Sequence, residues 1–154
     1  MKGRRPNSEN VVPLKDEGQG TNFEARARAR AEELKPEGLS FTVQAIWDRL
    51  APPLCDPRKG RLNEGNVFMF VLLCKTIDRH ERLYIDVMDN GETYESQTRN
   101  GHQLKSRPEV GQLNETWRQI RALASDFGMT PAAERGLNAA GQLGFDFGGD
   151  DGFD

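Results

Sequence analysis

Asn66-Val-Phe-Met-Phe-Val-Leu-Leu-Cys74, continued by Lys75-Thr-Ile-Asp-Arg-His-Glu-Arg-Leu-Tyr-Ile-Asp-Val-Met88, contains the strongest apolar run of the chain. Val67, Phe70, Val71, Cys74, Ile77, Tyr84 and Met88 recur at helical spacing and define one stripe of a long helix. We expect this helix to start near Asn63 and to end at Asn90-Gly91. Phe68, Met69, Leu72 and Leu73 give its first half a second apolar face, while Asp78 to Asp86 is charged on the far side. A helix that is apolar all round is normally buried all round. A chain of 154 residues has few elements to cover it. We therefore expect a second subunit to cover Phe68, Met69, Leu72 and Leu73.

The flanking segments supply two more packed helices. Ser40 is a good N-cap, and Val43, Ile46, Trp47 and Leu50 follow it on one face, with Leu54 one turn on. Pro52-Pro53 is expected to kink or stop this helix near Ala51, because neither proline donates a backbone hydrogen bond. Cys55 to Arg61, with Pro57 and Gly60, reads as a turn. After Asn90-Gly91, the alternation from Glu92 to Gln97, the Arg99-Asn100-Gly101 turn and Gln103 to Ser106 read as a β-hairpin. Two strands alone are marginal, so the hairpin should lean on a helix or on a neighbouring chain. Pro108 opens a further helix, with Val110, Leu113, Trp117, Ile120, Ala124 and Phe127 as its seam. Gly128 ends it, and Thr130-Pro131 starts a short helix.

The predicted fold is mainly α: a helical core of three packed helices, one of them long, with a short β-hairpin and disordered N- and C-terminal tails. Residues 1–38 read as a basic flexible arm, whose Glu24–Leu34 segment is a solvated helix or one formed on binding. Residues 39–137 form the core. Residues 138–154 form an acidic, Gly- and Phe-containing tail.

Charge follows the same division. Residues 1–35 carry a net of +2, residues 36–137 a net of −1 and residues 138–154 a net of −4. Opposite ends of opposite charge suggest two electrostatic partners, although solvated tails would look the same. No apolar run approaches the roughly 20 residues of a membrane span, and no apolar stretch follows the basic start as a secretory signal requires. Cys55 and Cys74 do not make a disulfide framework or a zinc site.

The residues show no catalytic constellation, no nucleotide-binding loop and no metal set, and no cofactor is expected. His80 reads as a solvated surface histidine. The acidic run Asp86 to Glu92 fails as a calcium loop because Met88 occupies a ligand position. Nucleic-acid contacts are better represented. Arg4 and Arg5 lie in a short basic arm that suits a narrow minor groove. Arg99, Lys105 and Arg107 cluster on the hairpin, and Arg118 and Arg121 share one side of the following helix. A merely salted surface is the alternative. In the tail, Phe145, Phe147 and Phe153 among Asp146, Asp150, Asp151 and Asp154 suit docking into a partner's groove, against a purely solubilising or an autoinhibitory tail.

Several motifs occur in a telling order: Met1-Lys-Gly-Arg-Arg-Pro6, Ala45-Ile-Trp-Asp-Arg-Leu-Ala-Pro52, Leu62-Asn-Glu64, the helix from Gln112 to Ala124, and Asp126-Phe-Gly-Met-Thr-Pro-Ala-Ala-Glu-Arg135-Gly-Leu137. In this the chain resembles the small terminase subunits of tailed bacteriophages, of the P27 type. Where that family carries serines and an arginine after Thr-Pro, this chain has Ala132, Ala133 and Glu134. The resemblance implies a non-enzymatic subunit that forms a ring with itself, recognises double-stranded viral DNA and delivers it to the large subunit. That larger partner carries the ATPase and nuclease, and the setting is the cytoplasm of the bacterial host. A helical DNA-binding regulator and a structural adaptor without DNA contact are the competing readings.

Overall fold

A computed structural model of the chain describes residues 19–99 and 101–142. Five helices and two strands follow one another: α1 (Gln19–Glu33), α2 (Phe41–Leu54), α3 (Val67–Asn90), β1 (Thr93–Thr98), β2 (Gly101–Ser106), α4 (Pro108–Asp126) and α5 (Pro131–Gln142). The mainly α fold with one antiparallel hairpin is the fold read from the sequence.

Helix α1 differs from its sequence reading. Its small residues Ala27 and Ala31, with Leu34 beyond its end, stand one turn apart and are buried, so the Ala-Arg repeat has a thin apolar face that packs on α2. The Trp47 indole N–H donates to the Ala31 carbonyl at 3.0 Å. That carbonyl belongs to the last turn of a helix, where the backbone lacks its own donor. One tryptophan therefore fills the core and closes the end of α1. This helix belongs with the core and is not a solvated arm.

Helix α2 begins as expected, with the Ser40 hydroxyl accepting from the Val43 N–H. It continues one turn past Ala51, through Pro52 and Pro53 to Leu54. The fixed φ of proline suits a helix, and the Cys55 N–H closes the last turn on the Ala51 and Pro52 carbonyls. The Arg61 and Leu62 N–H groups then bind the Leu54 carbonyl, which folds the 55–62 turn back under α2. Helix α3 starts at Val67 and not near Asn63. Asn63 and Asn66 use their side chains on the backbone of the preceding turn, and such residues compete with helix before they permit it.

The core is an aromatic column. Trp47 meets Phe70 edge-on at 5.0 Å, and Phe70 meets Phe127 edge-on at 5.2 Å. Ile46, Leu54, Leu62, Leu73 and Cys74 close around it. Helices α3 and α4 form a long antiparallel pair, the most extensive packing in the fold. Its stripes are shifted from the sequence reading. Val87 is buried where Tyr84 and Met88 were expected, and Thr116 is buried where Trp117 was expected. The cause is the length of α2. Phe41, its first residue, shares a groove with Glu81, so beyond Glu81 the helix packed on α3 among the described residues is α4. His80 is not a freely solvated histidine. Its Nδ1 lies 3.0 Å from the Thr116 hydroxyl, which itself donates to the Leu113 carbonyl.

The hairpin pairs Thr93 with Ser106 through to Thr98 with Gly101, and Arg107 N–H to Glu92 carbonyl closes its base. Every hairpin residue described is exposed or half-exposed, Leu104 to 71%. Among the described residues it makes at most marginal contact with the helices of its own chain.

Candidate nucleic-acid interface

Helix α5 is held in place by charge. The Arg61 guanidinium is nearly buried, donates to the Gly128 carbonyl at 2.7 Å and reaches Glu134 at 3.4 Å. Lys59 binds the same carboxylate at 2.9 Å. Lys59, with help from Arg61, holds the Glu134 carboxyl below its ordinary range. Gly128 is required at this corner. Its φ of +65° is left-handed, and a Cβ there would sit 2.6 Å from Leu137 and 2.9 Å from Arg61. The Thr130 hydroxyl accepts from the Ala133 N–H and caps α5.

This latch sets α5 beside the end of α4 and makes a groove of about 710 Å³. Arg118, Arg121 and Ser125 line one wall, and Thr130 and Arg135 line the other. Arg118 has one loose partner, Glu115 at 3.6 Å. Arg135 donates from Nε to its own helix at the Pro131 carbonyl at 3.2 Å. Three arginines around one open groove can hold a phosphate by charge-assisted hydrogen bonds.

The expected DNA contacts are thus placed unevenly. Arg118 and Arg121 come together, and Arg135 joins them from α5. Sequence reading did not assign Arg135 to DNA, since only the turn at Gly128 brings it back onto α4. Lys105 lies at the exposed end of β2 opposite Tyr94, and Arg107 precedes the first turn of α4. Eleven residues separate Arg107 from Arg118, about 16 Å at the helical rise, or three turns on the same side. Arg4 and Arg5 lie outside the described residues, as do Phe145, Phe147 and Phe153.

The expected contact face also divides. Leu73 is 0% exposed and belongs to the core, because it stands three residues after Phe70 on the inward stripe. Phe68, at 77%, and Met69 and Leu72 remain outward. Tyr84, Met88 and Trp117 add exposed apolar area that the shifted stripes turn outward, beside exposed Phe41 and Ile85.

Burial pushes the Cys74 thiol up to about 12 and raises that of Cys55, so both are poor nucleophiles. Among the described residues no cluster of three or more His, Cys, Asp or Glu could hold a metal ion. No helix among them is long and apolar enough to cross a membrane.

Comparison with curated proteins and with solved structures gives no match. A family model does match: that of the phage terminase small subunit, over residues 44–143. The matched span runs from the first turn of α2 past the end of α5, and so includes the aromatic core, the hairpin and the arginine groove.

Proposed function

The chain belongs to the phage terminase small subunit family, and from that premise we propose that it is a non-catalytic ring subunit that recognises double-stranded viral DNA and hands it to the large ATPase and nuclease subunit. Its role is in phage DNA packaging, and the bacterial host cytoplasm is where we expect it to act. The observation that carries the DNA reading is the convergence of Arg118, Arg121 and Arg135 on one open groove. The net charge of the chain is −3, so attraction to phosphate has to come from such a local patch and from its repetition around an oligomer.

Phe68, Met69 and Leu72 support self-association. They stand together on the outward side of α3, 77%, 40% and 42% exposed among the described residues, and patches of this kind mark interaction sites. The bare hairpin, marginal by itself, gains the neighbour it lacks when a second subunit packs beside it. Docking of the large subunit we assign to the acidic tail with Phe145, Phe147 and Phe153. Phenylalanine supplies buried area, and aspartate steers the tail to a basic surface.

Native mass and DNA binding test this reading together. The wild type should run as a multimer. Phe68→Asp should dissociate it, since an unpaired charge in a dry interface costs several kcal/mol. Binding to a 30-bp duplex should weaken steeply with salt. Replacing Arg121 and Arg135 together by Ala should reduce the log–log salt slope by about two per subunit engaged. A wild-type mass equal to one chain, or duplex binding indifferent to salt, overturns it.

A further inference from the structure

The outward face of α4 carries residues that neither the core nor the latch requires. Gly111, Asn114, Arg118, Arg121, Ala122 and Ser125 recur at helical spacing on the side away from Leu113, Thr116, Ile120 and Leu123, and all six are exposed. No acidic side chain stands on this stripe, and Glu115 borders it. Gly111 is the informative member. It lies inside a helix, where glycine is unfavourable, and nothing stands within 4 Å of the place its Cβ would take. Packing within this chain gives no reason for it. A surface that must approach the helix backbone closely does.

The rest of the stripe says what that surface is. Asn pairs in two-pronged fashion with adenine and Arg with guanine, and the major groove, about 12 Å wide, admits an α-helix. Small residues at Gly111, Ala122 and Ser125 let the helix sink in, with Asn114 and Arg118 between them. Cations stand at both ends of the 19-residue helix: Lys105 and Arg107 before it, and Arg135 across the groove after it. Phosphate contacts of this kind fix register, while base contacts read sequence.

We propose that α4 is the DNA-reading helix, its outward face lying in the major groove with Asn114 and Arg118 on base edges and Arg121 with Arg135 on a phosphate. This rests on the DNA-recognition reading above and adds where and how the sequence is read. An acidic protein surface would also engage the arginines, but it has no use for the bare backbone at Gly111.

The test uses the full chain and a pool of 30-bp duplexes of randomised sequence, selected by binding and sequenced. Wild type should enrich a motif. Asn114→Ala should keep wild-type affinity and salt slope on the unselected pool, yet lose preference about tenfold at one position of the motif. Gly111→Leu adds its side chain into open space, so its Tm should not fall, and its affinity for the selected motif should drop at least tenfold. If wild type selects a motif and both variants select and bind like it, this assignment falls while DNA recognition stands. The same holds if wild type binds the pool but enriches nothing, or if the variants weaken only capture of the large subunit. If wild type binds no duplex at any salt, both readings fall.

Discussion

The two ends of the α3–α4 pair are built from the same residue types and end in opposite states. Near Phe70 the pair is wrapped: α2 lies across it, α1 lies on α2, and Trp47, Phe70 and Phe127 stack edge to face with almost no exposure. Beyond Glu81 the wrapping stops. Tyr84, Ile85 and Met88 stand exposed, and the hairpin that follows touches little but itself. Burial of apolar area is the main favourable term in folding, so the stability of the single chain resides at the wrapped end. The bare end contributes area that only another molecule can use.

The sharpest way to break this comparison is to mutate both ends in the Phe68→Asp background, where association is removed. Phe70→Ala deletes the centre of the aromatic column and should cost about 3–5 kcal/mol in urea unfolding. Met88→Ser, an equally apolar position by sequence, should stay within about 0.5 kcal/mol, as ordinary surface substitutions do. Equal losses at the two sites would mean that the bare end is covered within one chain.

Where the wrapped end gives way to the bare one, a polar link takes over. The Thr116 hydroxyl donates to the Leu113 carbonyl and so presents its lone pair to His80, which fixes the donor on Nδ1 of the histidine. Thr116 is 2% exposed and His80 half-buried. Thr116→Val keeps the shape and removes both bonds. Water can reach the histidine, so the expected cost is about 1 kcal/mol, near the net value of one hydrogen bond. A loss as large as that of Phe70→Ala would put the centre of stability farther along the pair than packing does.

The same boundary explains which parts were legible in the sequence. Helix existence, the hairpin turn near Arg99 and the Ser40 cap follow from local pattern, and the structure has each of them. What failed was facing. Tyr84, Met88 and Trp117 satisfy the helical period as well as Phe70 does, but period does not tell how far the covering helix reaches. Helix α2 begins beside Glu81, and that one length moves the inward positions to Val87 and Thr116. Helix α1 failed for the converse reason: two alanines and a leucine look too thin for a face until Trp47 is seen to fit against them. In the candidate site, Arg118 and Arg121 are neighbours by spacing alone. Arg135 is brought to them by the Gly128 corner and the Arg61–Glu134 latch, contacts between residues more than 60 apart in the chain.

The smallest expected effect lies in acid, and it separates the two ends by charge. The ion pairs that hold the wrapped end together involve Asp56, Glu64 and Glu134. Arg58 holds the Asp56 carboxyl down to about 2, Arg30 lowers that of Glu64, and Lys59 with Arg61 lowers that of Glu134. A carboxyl lowered on folding stabilises above its unfolded value and loses that contribution as pH falls through its folded value. For Asp56 the window runs from 3.8 down to about 2. Tm should therefore be flat from neutral pH to about pH 5 and decline below about pH 4. Each pair has at least one partner well exposed to solvent, so the decline should be shallow and should flatten further in high salt. Glu134→Gln should reproduce part of it at neutral pH and loosen α5. Because α5 carries Arg135, the same variant should weaken duplex binding without changing the native mass. A Tm that falls with acid equally in wild type and in a variant lacking all three carboxylates would show that the wrapped end owes nothing to these pairs. The latch would then be a matter of packing at Gly128 alone.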